Sequence, residues 1–312
     1  MKVSIVIVNW NTRDLLLQCI GSLQKFANGL ELEILVVDNA SADGSVEAVR
    51  RDYPQVKLLP QTSNLGFSKA NNIGIRESTG SIVCLVNSDI EVRDGATRQL
   101  ADYLEAHPEV GMVGPRLRGK RGEVQQHTWR FPTLMRSFGH AVFMNVLMPY
   151  NGMVSRKIDL NVAHPLDVDV SSGAFCMVRR QALDEVGLLD EHFFFYGEDI
   201  DWCRRFRKAG WKIHHLPMIE VIHYGGASTS MAPIKYHLQF NNARLQYWRK
   251  HEPRLVLPAF YSVVFLHHSL RILVNSLAMV WDRKDAERRR YNLQLAWKAL
   301  TWLFNRSKPI SS

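Results

Sequence analysis

Between residue 3 and about residue 117, short β-branched apolar runs alternate with stretches of helical period. In order these are VSIVIVNW, a helix from Thr12, LEILVVDN, a helix from Asp43, VKLLPQ, a helix from Gly66, SIVCLVNSD, a helix from Asp94, and VGMVGPRL. Strands that are apolar at nearly every position have to be covered on both faces, and the amphipathic segments between them supply that cover. The pattern therefore predicts an α/β domain built on a mostly parallel sheet flanked by helices. In such sheets ligands sit at the carboxyl ends of the strands.

Polar residues fall at those ends: Asn9 and Asn11 after the first strand, Asp38 and Asn39 after the second, Asn64 after the third, Asn87 and Asp89 after the fourth. The predicted crevice is polar and partly acidic. NWNTRD stands where a dinucleotide-binding dehydrogenase carries G-x-G-x-x-G, and no G-x-x-x-x-G-K-[ST] occurs, so both of those nucleotide-binding classes lose their main support.

With 46% hydrophobic residues, the 312-residue chain can fill a sizeable core, and its formal charge of +9 is concentrated in RLRGKR (116–121), RKHEPR (249–254) and RKDAERRR (283–290). No helix-turn-helix, RNP or zinc-finger pattern accompanies that charge, so nucleic acid is not an expected partner. A solvated face, a phosphate-bearing substrate or an anionic membrane surface remain. Cys19, Cys84, Cys176 and Cys203 form no C-x-x-C pair and lie in stretches read as buried, which predicts reduced thiols and a cytoplasmic chain.

Residues 1–252 read as the main domain, within which 118–167, mixed in character and proline-containing, breaks the alternation and reads as a lid or acceptor region. Residues 253–312 read as a helical, basic and amphipathic extension. There LVLPAFYSVVFL and ILVNSLAMVW flank HHSLR, so His267, His268 and Arg271 interrupt the ~20 apolar residues that a membrane span needs. The reading is a helical hairpin lying on the membrane or packing on the main domain, with Trp281, Trp297 and Trp302 suited either to an interface or to a core.

Several residues are candidates for chemistry. Asp89, just past a wholly apolar strand, is placed for a hard divalent cation whose other oxygens a nucleoside diphosphate can supply, although a turn or helix cap also accounts for it. Glu198, Asp199 and Asp201 open a helix whose apolar face is Trp202, Phe206 and Ala209 and whose end is Gly210. Acids there complement the helix dipole, yet three of them behind the apolar FFFY run also suit a general base with a raised pKa. Gly66, after Asn64 and ahead of Asn71, places a glycine at a helix start whose free N–H groups can hold an anion, and an ordinary cap is the alternative. Ser172 and Gly173 form a small-residue bend open to a ligand or to a bulge. His223 lies in VIHYGGAST, as a ligand or as a structural histidine.

Taken together, VSIVIVNWN, VVDNASADGS, NLGFSKANNIG, LVNSDIEV, VDVSSGAFCMVRR, FFFYGEDIDWCRRFRKAG and HYGGAST resemble the family 2 glycosyltransferases of GT-A fold, in their rhamnosyltransferase-like branch. The resemblance covers residues 3–230 and implies inverting, metal-dependent transfer of a sugar from a nucleotide-sugar donor in cell-surface polysaccharide synthesis. The donor is dTDP-rhamnose by the branch, with UDP- and GDP-sugars as the other candidates. By the same resemblance Asp199 is the catalytic base. Asp38, with Asn9, Asn11, Asn39, Asn64, Gly66 and Asn71, serves the nucleotide, and Ser88, Ser172, Gly173, Glu198 and Asp201 serve donor and acceptor. Asp89, His223 and Asn87 hold Mg2+ or Mn2+, Asn87 standing where the family's D-x-D motif begins with Asp, which implies weaker metal binding. The implied partners are the donor, a glycan or lipid-linked acceptor, and the cytoplasmic face of a membrane met by the C-terminal tail. A non-catalytic nucleotide-sugar binding subunit and a sugar nucleotidyltransferase are the competing functions.

Overall fold

The structure, a computed structural model, describes residues 1–225, 233–281 and 286–304. The last residues of the HYGGAST segment and Arg283–Asp285 of the basic stretch lie outside them. In chain order the elements are β1 (Lys2–Asn9), α1 (Arg13–Lys25), β2 (Glu31–Asp38), α2 (Ser45–Asp52), β3 (Lys57–Pro60), α3 (Phe67–Arg76), β4 (Ile82–Asn87), β5 (Ile90–Val92), α4 (Ala96–Ala106), β6 (Val110–Arg118) and β7 (Thr128–Trp129). There follow α5 (Leu134–Ala141), α6 (Met144–Leu147), β8 (Leu166–Asp167), β9 (Val170–Ser171), β10 (Phe175–Arg179), α7 (Arg180–Val186), α8 (Glu198–Lys208), β11 (Lys212–His223), α9 (Pro233–His251), α10 (Leu257–Trp281) and α11 (Ala286–Phe304).

The chain divides into two compact units, Met1–Trp129 with Asp159–Met231, and Arg130–Ile158 with Ala232–Ser312. The first holds one mixed sheet of order β3-β2-β1-β4-β10-β6-β11-β5, with β8 beside β11. Its first four strands are parallel, as their unbroken apolar runs require. β10, from far along the chain, then inserts antiparallel between β4 and β6. The expected direct step from SIVCLVNSD into a helix also changes, because Ile90–Val92 form β5 and pair with the end of β11. That strand runs from Lys212 on to His223.

Register sets the crevice. β1 and β2 run in step from Lys2↔Glu31 to Asn9↔Asp38, so those two polar residues end their strands side by side, and Val8↔Asn87 brings the end of β4 level with them. Beneath lies a core that includes Ile5, Ile7, Leu16, Ile20, Val36, Val86 and Val113. All four cysteines are buried and unpaired in disulfides, as expected.

The second unit is helical. Residues 130–158 and α9 fall in it together with the C-terminal helices, so its limits do not follow a boundary at residue 252. α10 runs without a break through HHSLR, and it packs on α5 and on α11. His267 and His268, which interrupt the apolar pattern in sequence, are 7% and 2% exposed, whereas Phe265, Leu273, Val274 and Leu277 stand out at 46–54%. The helix thus buries the two histidines together with Phe260 and Val264 and leaves a row of apolar side chains exposed. Among the described residues, every exposed large hydrophobic except Met1, Val124 and Met218 belongs to this unit. One stretch, Arg254–Met279, is long and apolar enough to cross a membrane.

Candidate active site

The β1 and β2 ends are tied into one polar lattice. Asn9 Nδ2 donates to Asp38 Oδ1 at 2.9 Å and to Ser41 Oγ at 3.0 Å, and the Ser41 amide donates to Asp38 Oδ2 at 2.9 Å. The Thr12 hydroxyl donates to Asn9 Oδ1 at 2.7 Å and meets Ser88 Oγ at 2.7 Å, which joins this loop to the end of β4. Asn11 and Ala40 hold positive φ angles of 53° and 63°, the latter costly for a residue with a Cβ, and such strain persists only where neighbours over-determine it. Asn9, Asp38 and Asn39 are buried and bonded to protein, so they shape the crevice wall, while Asn11 and Asn64 stand half-buried at its rim.

The α3 start differs from the expected anion cradle. The Gly66 amide donates to Asn64 Oδ1 at 3.0 Å and the Phe67 amide to the Phe194 carbonyl at 2.7 Å, so neither points outward. Glycine is needed because φ is +81° and a Cβ would lie 2.5 Å from the Phe194 carbonyl oxygen. Asn71, 1% exposed, turns its amide back to the Phe67 carbonyl. The segment clamps the loop ahead of α8: Ser68 Oγ donates to the Phe193 carbonyl and Asn72 Nδ2 to that of Leu189.

At the end of that loop Tyr196 and Gly197 both take left-handed conformations, at φ 70° and 86°, and release the chain into α8. Glu198 and Asp199 then line one small cavity with Phe67, Ser171, Gly173 and Cys176. Burial, followed by the charge of Asp199, pushes the Glu198 carboxyl well above its ordinary range, and its Oε2 has no hydrogen-bond partner among the described residues. Asp201 is different. It is fully buried and paired with Arg205 at 3.0 Å, and Arg205 also donates to the carbonyls of Val186 and Leu188, so this acid anchors α8 to α7. The apolar face of α8 is Trp202, Cys203 and Phe206; Ala209 is exposed at its end.

Gly173 lies against the Phe67 ring, and the Ala174 carbonyl accepts from the Asn87 amide at 2.9 Å. The cavity wall thereby continues into the β4–β5 turn that carries Asn87, Ser88 and Asp89. Ser172 caps its own bend, Oγ accepting from the Ala174 amide. Across the turn, β11 delivers His223, whose Nε2 is 3.4 Å from Asp89 Oδ1. Its Nδ1 is 2.6 Å from Gln125 Oε1, and Gln125 Nε2 donates to the His223 carbonyl at 2.9 Å. In the neutral imidazole that amide orientation puts the proton on Nδ1 and leaves the Nε2 lone pair beside the carboxylate. Two acceptors then converge, which fits a divalent cation with Gln125 orienting the ring. Among the described residues no group of three or more His, Cys, Asp or Glu could hold a metal, so further ligands have to be oxygens of another kind, such as the Asn87 carbonyl group or a substrate phosphate.

Gln125, Thr12 and Ser41 were not singled out in the sequence. Only Thr12 carries a signal there, as an N-cap candidate; the other two act through contacts about 100 and 30 residues away in the chain.

Residues 4–187 match the family described as Glycosyl transferase family 2. The chain is 32% identical over 233 residues to N-acetylglucosaminyl-diphospho-decaprenol L-rhamnosyltransferase of Mycobacterium tuberculosis, covering 69% of this chain and 75% of that one. It is 23% identical over 265 residues to the dTDP-rhamnosyl transferase RfbF of Shigella flexneri, covering 80% and 82%. In fold it is similar to the mannosyltransferase PcManGT of Pyrobaculum calidifontis, solved in complex with GDP-Man and Mn2+, with a TM-score of 0.56 at 19% identity over 98% of this chain and 76% of that one. The alternation of strands, the crevice at their ends and the family match lead to one conclusion: this chain belongs to glycosyl transferase family 2, a rhamnosyltransferase-like glycosyltransferase of GT-A fold.

Proposed function

We propose that the enzyme transfers rhamnose from dTDP-rhamnose to a hydroxyl of a lipid-linked saccharide, with inversion, at the cytoplasmic face of a membrane. The observation that carries this reading is the continuity of Glu198 and Asp199, through Gly173 and Ala174, with the turn bearing Asp89 opposite His223. The activities for which the Mycobacterium and Shigella relatives are named support the sugar and the acceptor class.

Asp199 takes the proton of the acceptor hydroxyl as its oxygen forms the bond to the anomeric carbon, and the bond from that carbon to the diphosphate breaks on the opposite side with its electron pair leaving on the diphosphate. Glu198, held protonated, can donate a hydrogen bond into the cavity without adding negative charge beside the base. Asp201 positions α8 through Arg205, and at Gly173 the absence of a Cβ leaves the Phe67 ring unobstructed. The nucleotide lies against the loop set by Asp38, Asn9 and Asn39, with Asn11, Ser41 and Asn64 at its rim. Asp89 and His223, with Asn87, would hold Mg2+ or Mn2+, which when bound supplies positive charge to the departing diphosphate. The outward apolar side of α10 supports peripheral membrane contact.

Asp199→Asn tests the assignment. The variant should keep its affinity for dTDP in a calorimetric titration and lose about 10²–10⁴-fold in transfer. Transfer at the wild-type rate would remove Asp199 as the base.

A further inference from the structure

In the second unit, segments 130–158 and 232–281 carry ten Arg and Lys residues against one acid, Glu252. Part of this charge gathers around four histidines. Ring centroids lie 4.8 Å apart for His140 and His267, 5.0 Å for His267 and His268, and 6.2 Å for His268 and His237. Arg244 and Arg271 act electrostatically on all four, and Arg156 and Lys157 add to the field at His140. Burial first, and these cations second, push His140 down to about 4 and His268 to about 3. His268 is 2% exposed, and neither of its ring nitrogens has a hydrogen-bond partner among the described residues; the same holds for Nδ1 of His267. Arg244 also lines a small cleft with Asn241, Phe260, Tyr261, Val264 and Trp302.

Buried polar groups are nearly always satisfied, and cations drawn together in a poorly solvated place need a counter-charge. A metal is the wrong complement, since the two guanidinium groups repel cations and, among the described residues, no group of three or more His, Cys, Asp or Glu could hold a metal. A multivalent oxyanion is the right one, because guanidinium and imidazolium donors make short, charge-assisted bonds to phosphate oxygens. We propose that Arg244, Arg271, His267 and His268 form a binding site for the phosphate or diphosphate head of a lipid. The anion is argued from the cluster alone, while its attachment to a lipid rests on the membrane-facing reading above and on the apolar flank of Phe265, Leu273 and Leu277 along the same helix.

The test is calorimetric binding to the full chain in EDTA, which prevents a metal at Asp89 and His223 from capturing the probe. Farnesyl diphosphate should bind, inorganic pyrophosphate should compete with it, and farnesol should not bind. Arg244→Gln and Arg271→Gln should each weaken binding at least about tenfold. Because an anion raises the pKa of His140, His237, His267 and His268 against the field of Arg244, Arg271, Arg156 and Lys157, binding near pH 7 should take up protons, read from buffers of different ionisation enthalpy. His268→Gln, which keeps a polar side chain in the core, should reduce that uptake even if an arginine variant fails to fold. Phosphatidylglycerol vesicles replace farnesyl diphosphate in a second arm. Binding there that is sensitive to the same variants, with none to farnesyl diphosphate, supports the site with a phospholipid head as its ligand. Farnesol binding as tightly as its diphosphate, or folded arginine variants binding like the wild type, would overturn the proposal. No turnover is read, so this result and that of Asp199→Asn stand independently.

Discussion

Asp89 and His223 show how much a single contact pair depends on a third residue. Gln125 accepts from Nδ1 and donates to the same residue's carbonyl, so it fixes both the ring plane and the tautomer that presents Nε2 to the carboxylate. Gln125→Ala should therefore lower Mn2+ affinity about 10–100-fold, the usual effect of losing such a partner, as read by Mn2+ titration of the dTDP complex. Unchanged affinity would separate the ring's orientation from metal binding. Glu198 makes a prediction of opposite character. Its folded pKa is raised, so the native state holds a proton that the unfolded chain releases above about pH 4.3, and the wild type loses stability as pH rises beyond that point. Glu198→Gln, which carries no ionisable group, should gain in melting temperature over the wild type progressively from pH 5 upward to a plateau. A gap independent of pH would contradict the protonated state.

At the scale of elements, α8 and α3 hold the site through contacts whose loss is large. Arg205 neutralises the fully buried Asp201 and satisfies carbonyls of the turn after α7, so Arg205→Ala strands a charge and should destabilise by about 3–5 kcal/mol in urea unfolding. Lys at that position should restore only part, because an ammonium cannot fork to several carbonyls. Gly66→Ala meets both a positive φ and the Phe194 carbonyl, which predicts a destabilisation of about 1–3 kcal/mol and, with the FFFY loop displaced, a fall in transfer rate. A neutral outcome would show that the loop slides at no expense. The second effect traces to a pairing between segments more than 100 residues apart, 66 with 194.

Over the whole molecule, buried histidines govern acid stability. Burial pushes His127 to about 4 and His215 to about 3, and His140 and His268 are depressed similarly. Each is neutral when folded and binds a proton more readily when unfolded, so stability is present above the unfolded value of about 6.5 and is lost as pH falls through it toward the folded values. The melting temperature should decline steadily from pH 7 to pH 4.5, and replacing both His127 and His215 by Gln should flatten that slope. A flat wild-type profile would mean that these rings stay proton-free in both states.

Local chemistry along the chain was sufficient for the α/β class, the four parallel strands, the buried thiols, α9 from Pro233 to His251 and the family, because apolar period and strand-end polarity are properties of contiguous residues. It also marked Asp89, His223 and the Glu198–Asp201 acids as candidates for chemistry, each beside a structural alternative. Three things were not legible. The insertion of β10 between β4 and β6 joins segments about 90 residues apart, and nothing in either segment encodes its neighbour. Helical spacing places Arg205 at i+4 from Asp201, but that this pair is buried against the α7 turn while Asp199 lines a cavity depends on which segments pack beside α8. The inward turn of His267 and His268 reverses what hydropathy alone suggests for α10, since burial is set by which neighbours a side chain meets, and those come from α5 and α9 on other parts of the chain.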